Sequence, residues 1–275
     1  MALRVPASSA NIGPGFDGLA MALSLYVDVG VVGGDIPSGA ITADRFHPAT
    51  IAFRELRGDG DLWVRSRIPM GRGLGFSGAV RVGGAMLGAL QHHDDALTSR
   101  EVRNEVLRVT SRLEGHGDNV AASLFGGVVG TNGTSAAKII NNCAVEVVVW
   151  VPRSTTSTSE SRTKLSAMVP LADAAFNIGH TALLIGALNS GDIESLKVAV
   201  ADRLHQEVRF KSAQPSKEAL DCGVGAGAVC GWLSGSGPTV AMFCHAGDGA
   251  RVAERLPSEG SATVLTIDDD GVRRL

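Results

Sequence analysis

The stretch Pro69-Met70-Gly71-Arg72-Gly73-Leu74-Gly75-Phe76-Ser77-Gly78-Ala79 decides how this chain folds. Glycines at alternate positions leave backbone N–H groups uncovered by side chains, and a run of such donors can form an anion-binding concavity. Apolar residues follow at Ala79, Val82, Met86, Leu87 and Leu90, the spacing of one helix face, which predicts a helix over Ser77–Leu90. A glycine loop that opens into a helix joins orphan N–H donors to the positive end of the helix dipole, a setting suited to phosphate. The loop is not a Walker A sequence, because no Gly-Lys-Ser/Thr closes it, and it is not a dinucleotide fingerprint. Alone, it reads equally well as a structural helix start or as a phosphate cradle. Gly78, Gly83, Gly84 and Gly88 each cost the helix roughly 0.5–1 kcal/mol relative to Ala. A helix tolerates that cost when it must lie close to another backbone.

Outward from the loop, residues 1–35 read as short strands around an Asn11–Asp17 turn, Ala49–Arg57 as a short helix and Leu62–Ile68 as a strand. Ser99–Leu113 reads as a helix capped by Ser99, and Val145–Val151, β-branched and short, as a strand. The polar Ser154–Ser161 stretch reads as a mobile surface loop. Residues 171–190 and 192–207 read as amphipathic helices, and Val224–Val229, Thr239–Cys244 and Thr263–Ile267 as strands of a second small sheet. Helices and strands mix without strict βαβ alternation, which predicts an α+β fold.

The 275 residues suffice for a well-buried core, as one large domain or two closely joined halves, with no internal repeat or composition break. A net charge of −3 gives no electrostatic reason for a nucleic-acid or anionic-membrane partner, and aromatics at 4% argue against base-stacking platforms. No basic n-region with an apolar stretch opens the chain and no run of ~18 apolar residues occurs anywhere, so the expected compartment is the cytoplasm. Cys143, Cys222, Cys230 and Cys244 show no metal spacing and read as reduced, mostly buried residues.

Two further segments join the glycine loop: Val5-Pro6-Ala7-Ser8-Ser9-Ala10-Asn11-Ile12-Gly13-Pro14-Gly15-Phe16-Asp17 and Leu233-Ser234-Gly235-Ser236-Gly237-Pro238-Thr239. Together the three resemble the motifs of the GHMP small-molecule kinases, most closely the homoserine kinases. Leu113-Glu114-Gly115-His116-Gly117-Asp118-Asn119-Val120-Ala121, and the pair Pro170–Asn177 with Asp202–Gln206, resemble that branch in particular. The segments stand in the family's order. The resemblance implies a two-domain GHMP fold, an N-terminal half like ribosomal protein S5 domain 2 over 1–143 that binds ATP and a ferredoxin-like C-terminal half over 144–275. The active site would lie in the cleft between them, with ATP, Mg²⁺ and the small-molecule substrate L-homoserine, in the penultimate step to threonine. A homodimer stays open.

Phosphoryl transfer needs a phosphate cradle, oxygen ligands for Mg²⁺ and groups that aim the acceptor hydroxyl. The resemblance gives the cradle to Pro69, Gly71, Arg72, Gly73, Leu74, Gly75, Phe76, Ser77, Gly78 and Ala79, and the metal to Ser77 and Glu114. Without it, Glu114 is an exposed helix-end carboxylate and Asp17 a turn cap. With it, Asp17 and Asn119 are the catalytic pair, Asp17 as a substrate orienter, and Asn11 also meets the substrate. Homoserine is a zwitterion, and planar guanidinium groups bind carboxylates bidentately; the resemblance assigns that task to Arg162 and Arg209, each otherwise a solvated surface arginine. Ser236 sits in a third glycine turn that either joins two strands or supports the substrate. His116 and His205 receive no role.

The pattern breaks on the nucleotide side. Phe76 stands where the family has a serine, Val80 where it has a small polar residue, and His47-Pro48-Ala49-Thr50 where it has an asparagine toward the nucleotide. The chain is also short around Gly33–Asp44. Two other readings therefore stand beside homoserine phosphorylation: a related kinase for another small hydroxy amino acid, and a weakly catalytic amino-acid-binding protein on the same fold.

Overall fold

The computed structural model describes residues 1–155 and 158–275, with the backbone alone for 158–160. Antiparallel strands β1 (Ala2–Ala10) and β2 (Leu19–Val31) are long, nine and thirteen residues rather than several short pieces, and flank the Asn11–Asp17 turn. The chain continues through β3 (Ile41–Ala43), α1 (Pro48–Glu55), β4 (Leu62–Ser66), α2 (Phe76–Leu90), α3 (Arg100–Glu114), α4 (Asp118–Phe125), β5 (Val128–Thr131) and β6 (Ala136–Ile139). Then come β7 (Val145–Pro152), α5 (Thr158–Thr163), α6 (Leu171–Ser190), α7 (Ile193–Ala199), α8 (Gln206–Phe210) and α9 (Gln214–Gly225). The chain closes with β8 (Cys230–Leu233), β9 (Val240–His245), α10 (Gly249–Ala253), β10 (Gly260–Leu265) and β11 (Arg273–Arg274). One sheet runs β11-β1-β2-β4-β3 with β5 and β6 attached through β2; the other runs β10-β7-β9-β8. Every strand pair is antiparallel, as suits an α+β fold. The last strand returns to pair with β1, so the chain's two ends meet in the larger sheet.

The glycines of α2 do what their cost suggests. A Cβ on Gly84 would lie 2.0 Å from the carbonyl oxygen of Ala49 in α1, and one on Gly88 2.7 Å from that of Phe53. One on Gly83 would meet Val29 of β2 at 2.8 Å. The helix is nearly all buried, wedged between α1 and the sheet, and its N-terminus is thereby held at the sheet's edge. Ser99 caps α3 by accepting from the Val102 N–H, and Gly115, at φ +84°, ends it.

Four further expectations need correction. The alternation in Val224–Val229 is not a strand: residues to Gly225 finish α9, Gly227 breaks the chain at φ +105°, and the strand starts at Cys230. Residues 192–207 form two helices, because the Asp202 carboxylate accepts the N–H groups of Leu204, His205 and Gln206 and starts α8 afresh. Within Ser154–Ser161, residues 156 and 157 lie outside the described residues; from Thr158 the chain is helix α5, where buried Ser161 donates to the Ser236 carbonyl. The last strand of the small sheet is Gly260–Leu265, and Ile267 makes only a single bridge to Leu23.

Among the described residues α6 is one helix long and apolar enough to cross a membrane, at mean hydropathy 1.4; it is mostly exposed and meets the fold through Asn177, Leu184, Ala187 and Leu188. All four cysteines are free, and three are buried.

The packing of α2 yields a paired prediction. Gly84→Ala should lower folding stability by about 1–3 kcal/mol, the usual cost of overpacking. Gly186→Ala, in α6 with open space beside it, should raise stability by up to about 1 kcal/mol. Urea midpoints of the two variants measure both.

Candidate active site

The loop 69–75 follows β4, turns through left-handed glycines at 71, 73 and 75, and delivers the chain to α2. Among the described residues the N–H groups of Gly73, Gly75, Phe76 and Ser77 reach no acceptor in the protein. They are the uncovered donors that an anion would fill. The loop cannot drift. Leu74 accepts from the Ser8 N–H, Gly73 accepts from Ser234 Oγ at 2.6 Å, and Arg72 accepts from the Thr239 N–H. A Cβ at Gly73 would stand 2.4 Å from the Ser234 carbonyl oxygen, and one at Gly75 1.9 Å from Ser8 Oγ, so glycine is required at both.

The loop forms one wall of a cleft of about 120 Å³, below the ~300–1,000 Å³ of drug-sized pockets and suited to a small molecule's reacting end. Pro69, Gly71, Arg72, Gly73, Leu74, Gly75, Phe76 and Ser77 line it, as do Asn11, Asp17, Glu114, Asn119, Arg162, Arg209 and Ser236. Of the expected site residues, only Gly78 and Ala79 stay out. They are buried in α2, with Gly78 set against Val120 of α4. Phe76 both lines the cleft and packs on the main core.

The opposite wall carries charge. Asp17 receives Arg162 Nη1 at 2.8 Å and Nη2 at 2.6 Å, a bidentate pair with each side chain about one-third exposed. That bond foremost raises the Arg162 pKa, against the effect of burial. Arg209 is buried, its Nη1 donating to the Gly235 carbonyl and to His205 Nδ1, while its Nε has no partner among the described residues. Burial, and then Arg162's like charge, lower its pKa. Phe16 lies near both guanidinium groups, 5.6 and 5.4 Å from ring centre to each Cζ. Asn11 holds the turn in a left-handed conformation, donating to Gly235 and accepting from the Asp17 N–H. Asn119 accepts from Ser8 Oγ at 2.8 Å.

Ser77 Oγ and Arg81 Nε both donate to Glu114 Oε2, at 2.8 and 2.7 Å. Glu114 is thus a partnered, mostly buried carboxylate rather than a free helix end. A magnesium ion takes one or two protein oxygens with phosphate and water, and a hydroxyl beside a carboxylate at the phosphate loop fits that set. No cluster of three or more His, Cys, Asp or Glu occurs among the described residues.

Several supporting residues escaped the sequence reading because their signal is buried polarity, visible only in three dimensions. His116 Nδ1 meets Asp118 Oδ1 at 2.7 Å, and Asp118 in turn accepts from the Asn119 backbone. Burial opposes the charge on His116, yet the Asp118 bond and the acidic charges around it outweigh that and raise the pKa. His205 donates from Nε2 to the Gly13 carbonyl and accepts at Nδ1 from Arg209, a neutral tautomer that holds both the turn and the arginine. Asn177 donates to the Pro14 carbonyl and to Asp202.

Comparison with known proteins identifies the family. Residues 43–127 match the GHMP kinases N terminal domain and residues 184–262 the GHMP kinases C terminal domain. Homoserine kinase of Moorella thermoacetica is 33% identical, with 98% of this chain and 94% of that protein aligned. A homoserine kinase of Thermus thermophilus is 35% identical over 97% and 96%. Among solved structures, a homoserine kinase from Cytophaga hutchinsonii shares the fold at TM-score 0.84 and 20% identity, covering 100% of this chain and 97% of that one. A Methanococcus jannaschii mevalonate kinase matches at TM-score 0.66 and 13% identity, covering 97% and 98%.

His205 makes stability depend on pH. Burial foremost lowers its folded pKa, against Asp202's charge. A depressed folded value means that its contribution is complete above the unfolded value of ~6.5 and is lost as pH falls through the folded one. Denaturant titrations from pH 7.5 down to 5 should show the chain losing stability more steeply than His205→Gln, which lacks the titrating group.

Proposed function

The chain belongs to the GHMP kinases and, within them, to the homoserine kinases, and from that premise we propose that it transfers the γ-phosphoryl group of ATP to the side-chain hydroxyl of L-homoserine. The observation that carries this reading is one cleft in which a loop of uncovered N–H donors faces an aspartate and two arginines. The loop suits phosphate oxygens; the charged wall suits a small zwitterion.

Each residue's task follows from its chemistry. The N–H groups of 73 and 75–77 hold phosphate oxygens at the positive end of α2. Arg209, anchored by His205 and Gly235 with Nε unpartnered, binds the substrate carboxylate, and Arg162 joins it. Asp17 takes the substrate ammonium, and in doing so releases Arg162 from the pair the two form. Asn11 keeps Asp17 in place, while Asn119 and Ser236 bound the cleft where the hydroxyl points. With its carboxylate engaged, Asp17 orients rather than deprotonates, and the rate comes from aligning the hydroxyl with the γ-phosphorus. As the new P–O bond forms, the bond to ADP breaks and the hydroxyl proton passes to an oxygen of the transferred phosphoryl group. Ser77 and Glu114 would hold Mg²⁺, which when bound neutralises phosphate charge. The division at 143/144 gives the loop and Glu114 to an ATP-binding half, and Arg162, Arg209 and Ser236 to the other. A cytoplasmic biosynthetic enzyme suits a net charge of −3.

ADP release with Mg²⁺ tests the reading, run in parallel with L-homoserine, L-threonine, L-serine and no acceptor. Release with homoserine alone is expected; release with another acceptor, or none, would refute it. Asp17→Asn and Arg162→Ala should each lower kcat/KM for homoserine at least about tenfold, or ~1.4 kcal/mol of transition-state stabilisation.

A further inference from the structure

Beyond its bond to Glu114, Arg81 has an unusual setting. It stands one turn into α2, four residues after Ser77, and helical side chains of this length lean back toward the N-terminus. Its Nε meets the same Glu114 oxygen as Ser77 Oγ, so the guanidinium lies over the first turn of α2, beside the phosphate loop. The side chain is only 16% exposed, and Glu114 14%. Among the described residues neither terminal nitrogen of Arg81 has a hydrogen-bond partner, and neither does Glu114 Oε1. The terminal nitrogens keep contact with solvent, so water meets these four N–H donors in the empty site and a phosphate oxygen can take its place. Its charge also reaches His47 at the N-cap of α1, where it adds to burial, against Asp44, in lowering the imidazole pKa. Glu114 closes α3, so the helix's negative end adds to the field at its carboxylate.

We propose that Arg81 is a built-in cation of the phosphate site, which neutralises Glu114 while the site is empty and turns to the nucleotide's phosphates when a divalent ion takes the carboxylate. This rests on the reading of Ser77 and Glu114 as the metal's ligands. The two donors on Oε2 fill its lone pairs, so a metal on that oxygen must displace one of them; the serine can stay as a ligand, the arginine cannot. Even on Oε1, an incoming ion meets a carboxylate already neutralised. Arg81 thus weakens metal binding to the empty protein and supports phosphate binding without metal. The loop itself offers the phosphates Ser77's hydroxyl and backbone donors, with Phe76 in place of a second hydroxyl; its own cation, Arg72, is spent on the carbonyls of Arg153 and Ser154.

The two consequences have opposite signs, which separates this role from a structural one. Mn²⁺ binding to the nucleotide-free chain is measured by water-proton relaxation, and ADP binding in EDTA by calorimetry. Arg81→Met should bind Mn²⁺ about tenfold more tightly and ADP without metal about tenfold more weakly, with Arg81→Lys between it and the parent. Unchanged affinities, or a loss of both together as from a damaged site, would overturn the proposal. Glu114→Gln separates the premises. If it leaves Mn²⁺ binding intact, the metal reading fails. If it weakens Mn²⁺ binding while Arg81→Met fails to tighten it, the role of Arg81 alone fails.

Discussion

The site depends on the pinning of one glycine loop between two sheets. Ser8 of β1 donates its N–H to Leu74, Ser234 donates its hydroxyl to Gly73, and Gly235 in turn donates to Ala10 at the end of β1. Ser9, Ser234 and the Trp232 indole form a buried chain of hydroxyl and N–H contacts behind that seam. Buried polar chains of this kind are stabilising only when every member is satisfied, and so they specify one arrangement. The steric limits point the same way, because a single Cβ at Gly73 or Gly75 would collide with the opposing strand or turn. Since β1, the loop and the turn at 234–238 come from distant parts of the chain, the cradle forms only when both sheets have assembled.

Given that frame, the chemistry is a matter of charge exchange. The Asp17–Arg162 pair is partly solvated, a setting in which an ion pair is worth about 0–1 kcal/mol net. Replacing it by two pairs with a zwitterion therefore costs little, and the buried, half-satisfied Arg209 gains a partner. A ligand carrying only one of the two charges leaves Asp17 or the arginines without the exchange. On the proposed roles of Asp17, Arg162 and Arg209, selectivity for a zwitterionic hydroxy acid follows from bonds that are lost rather than from shape. On the far wall Glu114 and Arg81 repeat the arrangement, a carboxylate paired with a resident guanidinium.

Much of this was legible in the chain because it is local. The alternate glycines, the 3.6-residue apolar spacing of α2 and the Ser99 cap are set by neighbours in sequence, and each stands where it was expected. The α2 glycines even announced a close backbone contact, now seen at Ala49 and Phe53. What the sequence hid is tertiary. Val224–Val229 alternates like a strand but completes a helix, and a Ser/Thr-rich stretch turns helical where Ser161 and Arg162 find partners across the cleft. The work of Asn177 and His205 could not be read because their partners Pro14 and Gly13 stand far away in the chain, contacts no local pattern encodes.

The claim that both charges of the substrate are exchanged at once is tested most directly by calorimetry on the intact chain with L-homoserine, 3-amino-1-propanol and 4-hydroxybutyrate. Each truncated molecule keeps the hydroxyl and one charge. Homoserine should bind at least about a hundredfold more tightly than either, since each truncation leaves a charged group of the cleft without its new partner. Binding of 4-hydroxybutyrate within about tenfold of homoserine would contradict the account, because Asp17 would then play no part in holding the substrate.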